Sequence, residues 1–151
     1  MRAISAWILV FVLIFVTYEA FGQGSCPATF KAVGCYKDNR KMRILPNHIM
    51  NARPKIDWTN YHNFLPRLVC RCAEKAKKEN FRFFGIQYYG ECWAGKNLPS
   101  MMKKKSSCID GHFQKCQKTG PDRICSGKAW TNFVFDLGEV SVQEPLTSFI
   151  V

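Results

Sequence analysis

Apolar residues recur at helical spacing in one stretch of the chain. Leu65, Val69, Cys72, Ala73 and Ala76 fall on one face, with Arg71, Lys75 and Lys78 on another. This predicts a helix over residues 66–79, with Pro66 in its first turn, Asn63 as cap and Asn80 as its stop. At about 100° per residue, Cys70 and Cys72 point about 200° apart and need different partners. Residues 81–93, Phe-Arg-Phe-Phe-Gly-Ile-Gln-Tyr-Tyr-Gly-Glu-Cys-Trp, are the most strand-like stretch. Period two places Phe84, Ile86, Tyr88 and Cys92 on one face and Gln87, Tyr89, Glu91 and Trp93 on the other. The first set reads as core, so Cys72 is expected to bond Cys92 and tie helix to strand.

The remaining stretches are shorter or less regular. A first strand is expected over residues 26–36, followed by the turn residues Lys37-Asp38-Asn39-Arg40. A last strand is expected over 129–137, with Phe133 and Phe135 on one face and Trp130, Asn132 and Val134 on the other. Residues 43–64, broken by Pro46 and Pro54, read as a long loop. Residues 96–118 read as a basic loop held by disulfides, with Cys108–Cys116 a plausible local closure. The fold class that follows is small α+β and disulfide-rich, one helix packed on a short antiparallel sheet.

The N-terminus is patterned differently. Met1-Arg2 is followed by an unbroken apolar run from Ala6 to Val16, then by the small residues Ala20 and Gly22. That run is of signal-peptide length and short for a bilayer span. Residues 1–22 are therefore expected to be a cleaved signal, with the mature chain starting at Gln23. No second apolar run reaches spanning length, so no transmembrane segment is expected. All eight cysteines follow the cut: Cys26, Cys35, Cys70, Cys72, Cys92, Cys108, Cys116 and Cys125. An even count in a short chain on the secretory route reads as four disulfides and a secreted, extracellular protein. Residues 23–137 form one stapled domain on this reading, and residues 138–151 a cysteine-free, loosely attached tail. Cys70-Arg-Cys72 lacks the Cys-x-x-Cys spacing, and His48, His62 and His112 show no ligand spacing, so neither metal nor cofactor is expected.

Charge narrows the partners. The chain carries 22 basic and 11 acidic residues, and the last basic one is Lys128. Residues 23–128 hold 21 basic against 7 acidic side chains, a formal charge of +14. Outside the cell such a body points to sulfated glycans, acidic matrix, anionic membrane or acidic channel mouths, and not to nucleic acid. The run Lys103-Lys104-Lys105 is the candidate polyanion contact. No hydrolase, metalloprotease or paired-carboxylate motif is present, and Asp38, Asp57 and Glu91 stand as isolated acids, so the chain does not read as an enzyme.

Gly34-Cys35-Tyr36-x-Asp38, a cysteine-bearing helix, then Phe84-Gly85-Ile86-x-Tyr88-x-Gly90-Glu91-Cys92-Trp93-x-Gly95 resembles the WSC domain. Cys125-Ser126-Gly127 followed by Phe133-Val134-Phe135 resembles that family's closing segment. The resemblance implies a secreted or cell-surface α+β domain with carbohydrate binding. A sugar presents C–H faces that stack on aromatic rings and hydroxyls that need fixed polar partners. Gln87, Tyr89, Glu91 and Trp93 could supply both from one strand face, with Trp58, Tyr61 and Trp130 as weaker candidates. Core packing is the competing role for each aromatic. The function expected is thus an extracellular module binding carbohydrate or acidic matrix. The alternative is a basic secreted toxin or defence protein acting on membranes or channels.

Overall fold

The computed structural model describes residues 26–105, 107–117 and 123–139. The expected signal peptide and residues 140–151 of the expected tail lie outside them. Among the described residues the strands are β1 (Lys31–Lys37), β2 (Asn47–Asn51), β3 (Phe83–Gln87), β4 (Glu91–Gly95), β5 (Cys108–Ile109), β6 (Ser126–Gly127) and β7 (Thr131–Asp136), with one α-helix, α1 (Tyr61–Lys78). Five strands form an antiparallel sheet in the order β1-β7-β3-β4-β2, and β5 pairs with β6. The α+β class with one helix and an antiparallel sheet is as the sequence predicts.

The helix buries the face that its periodicity marks, Leu65, Val69, Cys72, Ala73 and Ala76, and Leu68 beside it. It starts five residues before the expected Pro66, with Asn60 rather than Asn63 at the N-cap position. Pro66 therefore lies inside the helix, where it removes a bond to the His62 carbonyl. His62 is exposed, so water can serve that carbonyl. The start is set upstream, where Asp57 Oδ1 accepts from the backbone N–H groups of Thr59 and Asn60 at 3.1 Å each. The stop at Asn80 is as expected. Asn80 takes φ 58°, its N–H donates to the Lys77 carbonyl, and Phe81 N–H donates to Ala76 O at 2.9 Å. That pair of bonds is a Schellman cap with asparagine in the left-handed position.

The expected single strand over 81–93 is instead a hairpin. Tyr88 and Tyr89 take φ 50° and 66°, and Gly90 N–H donates to the Gln87 carbonyl at 3.2 Å. Two consecutive positive φ values are what a type I′ turn requires, normally met by Asn-Gly or Gly-Gly. Because Gln87 pairs with Glu91 across the turn, the alternation survives it. Phe84, Ile86 and Cys92 face the helix with Phe133 and Phe135. Gln87, Glu91 and Trp93 face the other way. The turn takes both tyrosines out of the pattern. The expected long loop over 43–64 also contains β2, the outer neighbour of β4, and the first strand is shorter than expected. On the face away from the helix, Leu45, Ile44, Tyr36 and Val134 make a second, smaller core.

Four disulfides close the chain: Cys26–Cys70, Cys35–Cys108, Cys72–Cys92 and Cys116–Cys125. The Cys72–Cys92 link is as expected, and Cys70 goes to a different partner. The expected Cys108–Cys116 closure is not formed. Those two residues are joined by a backbone bond, Cys116 N–H to Cys108 O at 3.0 Å, while Cys108 bonds β1 and Cys116 bonds Cys125. Four crosslinks in so short a chain fit an oxidising, extracellular setting. No described helix is long and apolar enough to cross a membrane.

Candidate functional site

The candidate glycan residues divide between two places. Gln87, Trp93 and Trp130 gather around Arg43, on the sheet face away from the helix, while Glu91, next to Trp93, pairs with Arg53 at 3.5 Å. Arg43 Nη1 donates to Asp38 Oδ2 at 2.8 Å, and its Cζ lies 4.1 Å from the Trp93 ring centroid and 5.1 Å from that of Trp130. Asp38 is buried, and its Oδ1 accepts from the Asn39 and Ile44 backbone N–H groups. The carboxylate thus fixes the turn that carries Arg43 and the charge of Arg43 together. Trp93 Nε1–H donates to Glu91 Oε2 at 3.1 Å, and the His48 ring lies 4.8 Å from the Trp93 ring. Trp93 is half-buried, with Arg43 and His48 against its ring. It is a support for Arg43 rather than an open plate. Gln87 is buried, its Oε1 facing Arg43 Nη1 at 3.4 Å and Asn132 Nδ2 at 3.5 Å. The strand-face reading of Gln87 and Trp93 as sugar contacts is therefore not supported by their surroundings. Trp130 remains 44% exposed.

Tyr89 lies elsewhere, packed with Trp58, Tyr61 and Phe113. Trp58 is 52% exposed and Phe113 47%. Their rings are 6.3 Å apart and 26° from parallel, and both stack on Tyr61, at 5.9 and 5.0 Å. Tyr89 meets Trp58 edge-on at 5.5 Å. Beneath them Tyr61 is 1% exposed, its hydroxyl donating to one of two partners, the Tyr89 carbonyl at 2.9 Å or Ser126 Oγ at 2.8 Å. Burial pushes the Tyr61 phenol up to about 12, against the opposing effect of the Ser126 hydrogen bond.

Local sequence explains the convergence. Asp110 folds residues 110–114 into a tight loop, its Oδ1 accepting from the His112 and Gln114 backbone N–H groups at 2.9 and 3.0 Å. Gly111 lets that loop touch the helix start, because a Cβ there would lie 2.7 Å from His62 Cα. The contact stacks the His62 and His112 rings at 5.2 Å and places Phe113 over Tyr61. Phe113 adopts φ 62° to get there. Five described non-glycine residues have positive φ, and four of them are aromatic: Tyr88, Tyr89, Phe113 and Trp130. A left-handed backbone costs a bulky L-residue about 1–2 kcal/mol. Such strain concentrates where a side chain is held for a purpose.

The lysine run flanks β1. Lys37 N–H donates to Lys103 O at 2.8 Å, and Lys105 N–H to Cys35 O at 2.9 Å. Lys104 and Lys105 line a hollow there, which Lys103 does not. Arg43, Asp38 and Phe113 were not legible as site residues. For Phe113 the available signal was a lone aromatic inside a polar, basic loop. No family model matches the chain, and no curated protein matches it in sequence.

Proposed function

We propose that this chain is a secreted extracellular module that binds carbohydrate on the plate made by Trp58 and Phe113, edged by Tyr89. The observation that carries the reading is the pair of half-exposed, near-parallel rings, one of them held on a strained backbone over the buried Tyr61. A rigid aromatic plate loses little freedom when a pyranose C–H face stacks on it. Asp57, His62 and His112 are exposed beside these rings in sequence, and they supply polar groups for hydroxyls at the margin. The resemblance of residues 34–135 to the WSC domain supports the same class of ligand. Positive charge on the body favours acidic glycans and matrix among the carbohydrates.

A glycan array carrying neutral, uronic and sulfated sugars, probed with the oxidised chain lacking residues 1–22, tests the proposal. Retention of a defined set of glycans supports it. Absence of retention, together with dye leakage from anionic vesicles, would move the protein to the membrane-acting class instead.

A further inference from the structure

A second site lies beside the outer edge of β1. A hollow of about 510 Å3 opens there, within the roughly 300–1,000 Å3 span of small-molecule pockets. Its apolar lining includes Val33, Phe133 and the Cys35–Cys108 disulfide. Lys104, Lys105, Lys115 and Arg123 also line it, and none of the described lining residues is a carboxylate.

Backbone pairing fixes where two of the lysines leave the chain. Lys104 forms a β-bridge with Tyr36, and Lys115 forms one with Ile109. Arg123 donates to the Gln117 carbonyl and lies over the Phe133 ring, 5.8 Å from its centroid. The three lysines are like charges gathered around a concavity, which repel one another and weaken the folded state. An anion entering the hollow would relieve that repulsion and gain charge-assisted hydrogen bonds. The apolar lining adds a demand that a bare inorganic ion does not meet, since it rewards a body with an apolar face.

We infer that this hollow binds a small organic anion, a sulfate or carboxylate carried on a ring-sized body, at a site separate from the aromatic plate. The ring can be a sugar or an aryl group, and both share the recognised chemistry.

Calorimetric titration at about 0.15 M salt, where exposed charges are screened within roughly 8 Å, tests the assignment. The probes are N-acetylglucosamine 6-sulfate, 4-nitrophenyl sulfate, unsulfated N-acetylglucosamine and inorganic sulfate. At least one ring-borne sulfate should bind about tenfold or more tightly than inorganic sulfate, a difference of about 1.4 kcal/mol. The stronger of the two names the source. The unsulfated sugar should not bind here. Lys104→Gln/Lys115→Gln should abolish the binding, while the charge-matched Lys41→Gln/Lys96→Gln and the plate variant Trp58→Ala should keep it. Equal binding of inorganic sulfate, equal loss in both double variants, or no binding by either ring-borne sulfate would overturn the inference. Loss on Trp58→Ala would merge the two sites and overturn their separateness.

Discussion

Arg43 and Trp93 form a stacked pair, the guanidinium carbon 4.1 Å from the ring centroid, with the charge anchored by the buried Asp38 at 2.8 Å. The pair covers the sheet face away from the helix and makes the segment from Asp38 to Leu45 part of the fold.

Trp93→Ala should therefore act on stability. Removing a core tryptophan costs about 3–5 kcal/mol. Half-burial places Trp93 below that range, at about 2–3 kcal/mol, with loss of the Arg43 contact included. Chemical denaturation of the oxidised protein measures this. A variant as stable as the parent would return Trp93 to the list of open binding plates.

The buried Tyr61 phenol makes the fold sensitive to alkali. Its folded pKa, about 12, lies above the ordinary tyrosine value of 10.0. The neutral form is the one the fold favours. The stabilisation is fully present below pH 10 and is lost as pH rises through about 12. In a phenolate absorbance titration, the difference between parent and Tyr61→Phe should show a transition near pH 12. A midpoint near pH 10 would mean that Tyr61 is solvated. At neutral pH the same variant should lose about 1–3 kcal/mol, since the Tyr89 carbonyl and the Ser126 hydroxyl each lose a buried partner.

Gly85 has no room for a side chain. A Cβ would overlap Asn132 Oδ1 and lie 2.9 Å from both Leu45 Cδ1 and the Phe133 carbonyl oxygen. Gly85→Ala should cost about 1–3 kcal/mol as an overpacked centre of the sheet. Unchanged thermal stability would show that Asn132 can turn aside freely.

Much of this architecture was legible because burial imposes periodicity. The helix face from Leu65 to Ala76 and the sheet face of Phe84, Ile86 and Cys92 point at one another, and that alone brings Cys72 to Cys92. The hairpin was not legible because Tyr88-Tyr89 is not turn chemistry. The turn conformation is imposed by pairing on both sides, and only Gly90 hinted at it. Alternation still grouped Gln87, Glu91 and Trp93 correctly, since Gln87 and Glu91 face each other across the strands. It misplaced Tyr89, which left the sheet for the Trp58 cluster. Cysteine proximity misled at Cys108 and Cys116, neighbours in backbone pairing whose sulfurs go to different elements. Phe113 and Arg43 owe their positions to contacts distant in sequence, with Tyr61 and with Trp93, and no local pattern carries those.

Phe113→Gly probes the central claim most directly. Glycine adopts φ 62° without the left-handed penalty of about 1–2 kcal/mol, which offsets much of the lost stacking on Tyr61. The melting temperature should stay within about 3 °C of the parent. Affinity for the best glycan on the array should fall about tenfold or more, some 1.4 kcal/mol of binding. A well-folded Phe113→Gly that holds the glycan as tightly as the parent would contradict the account.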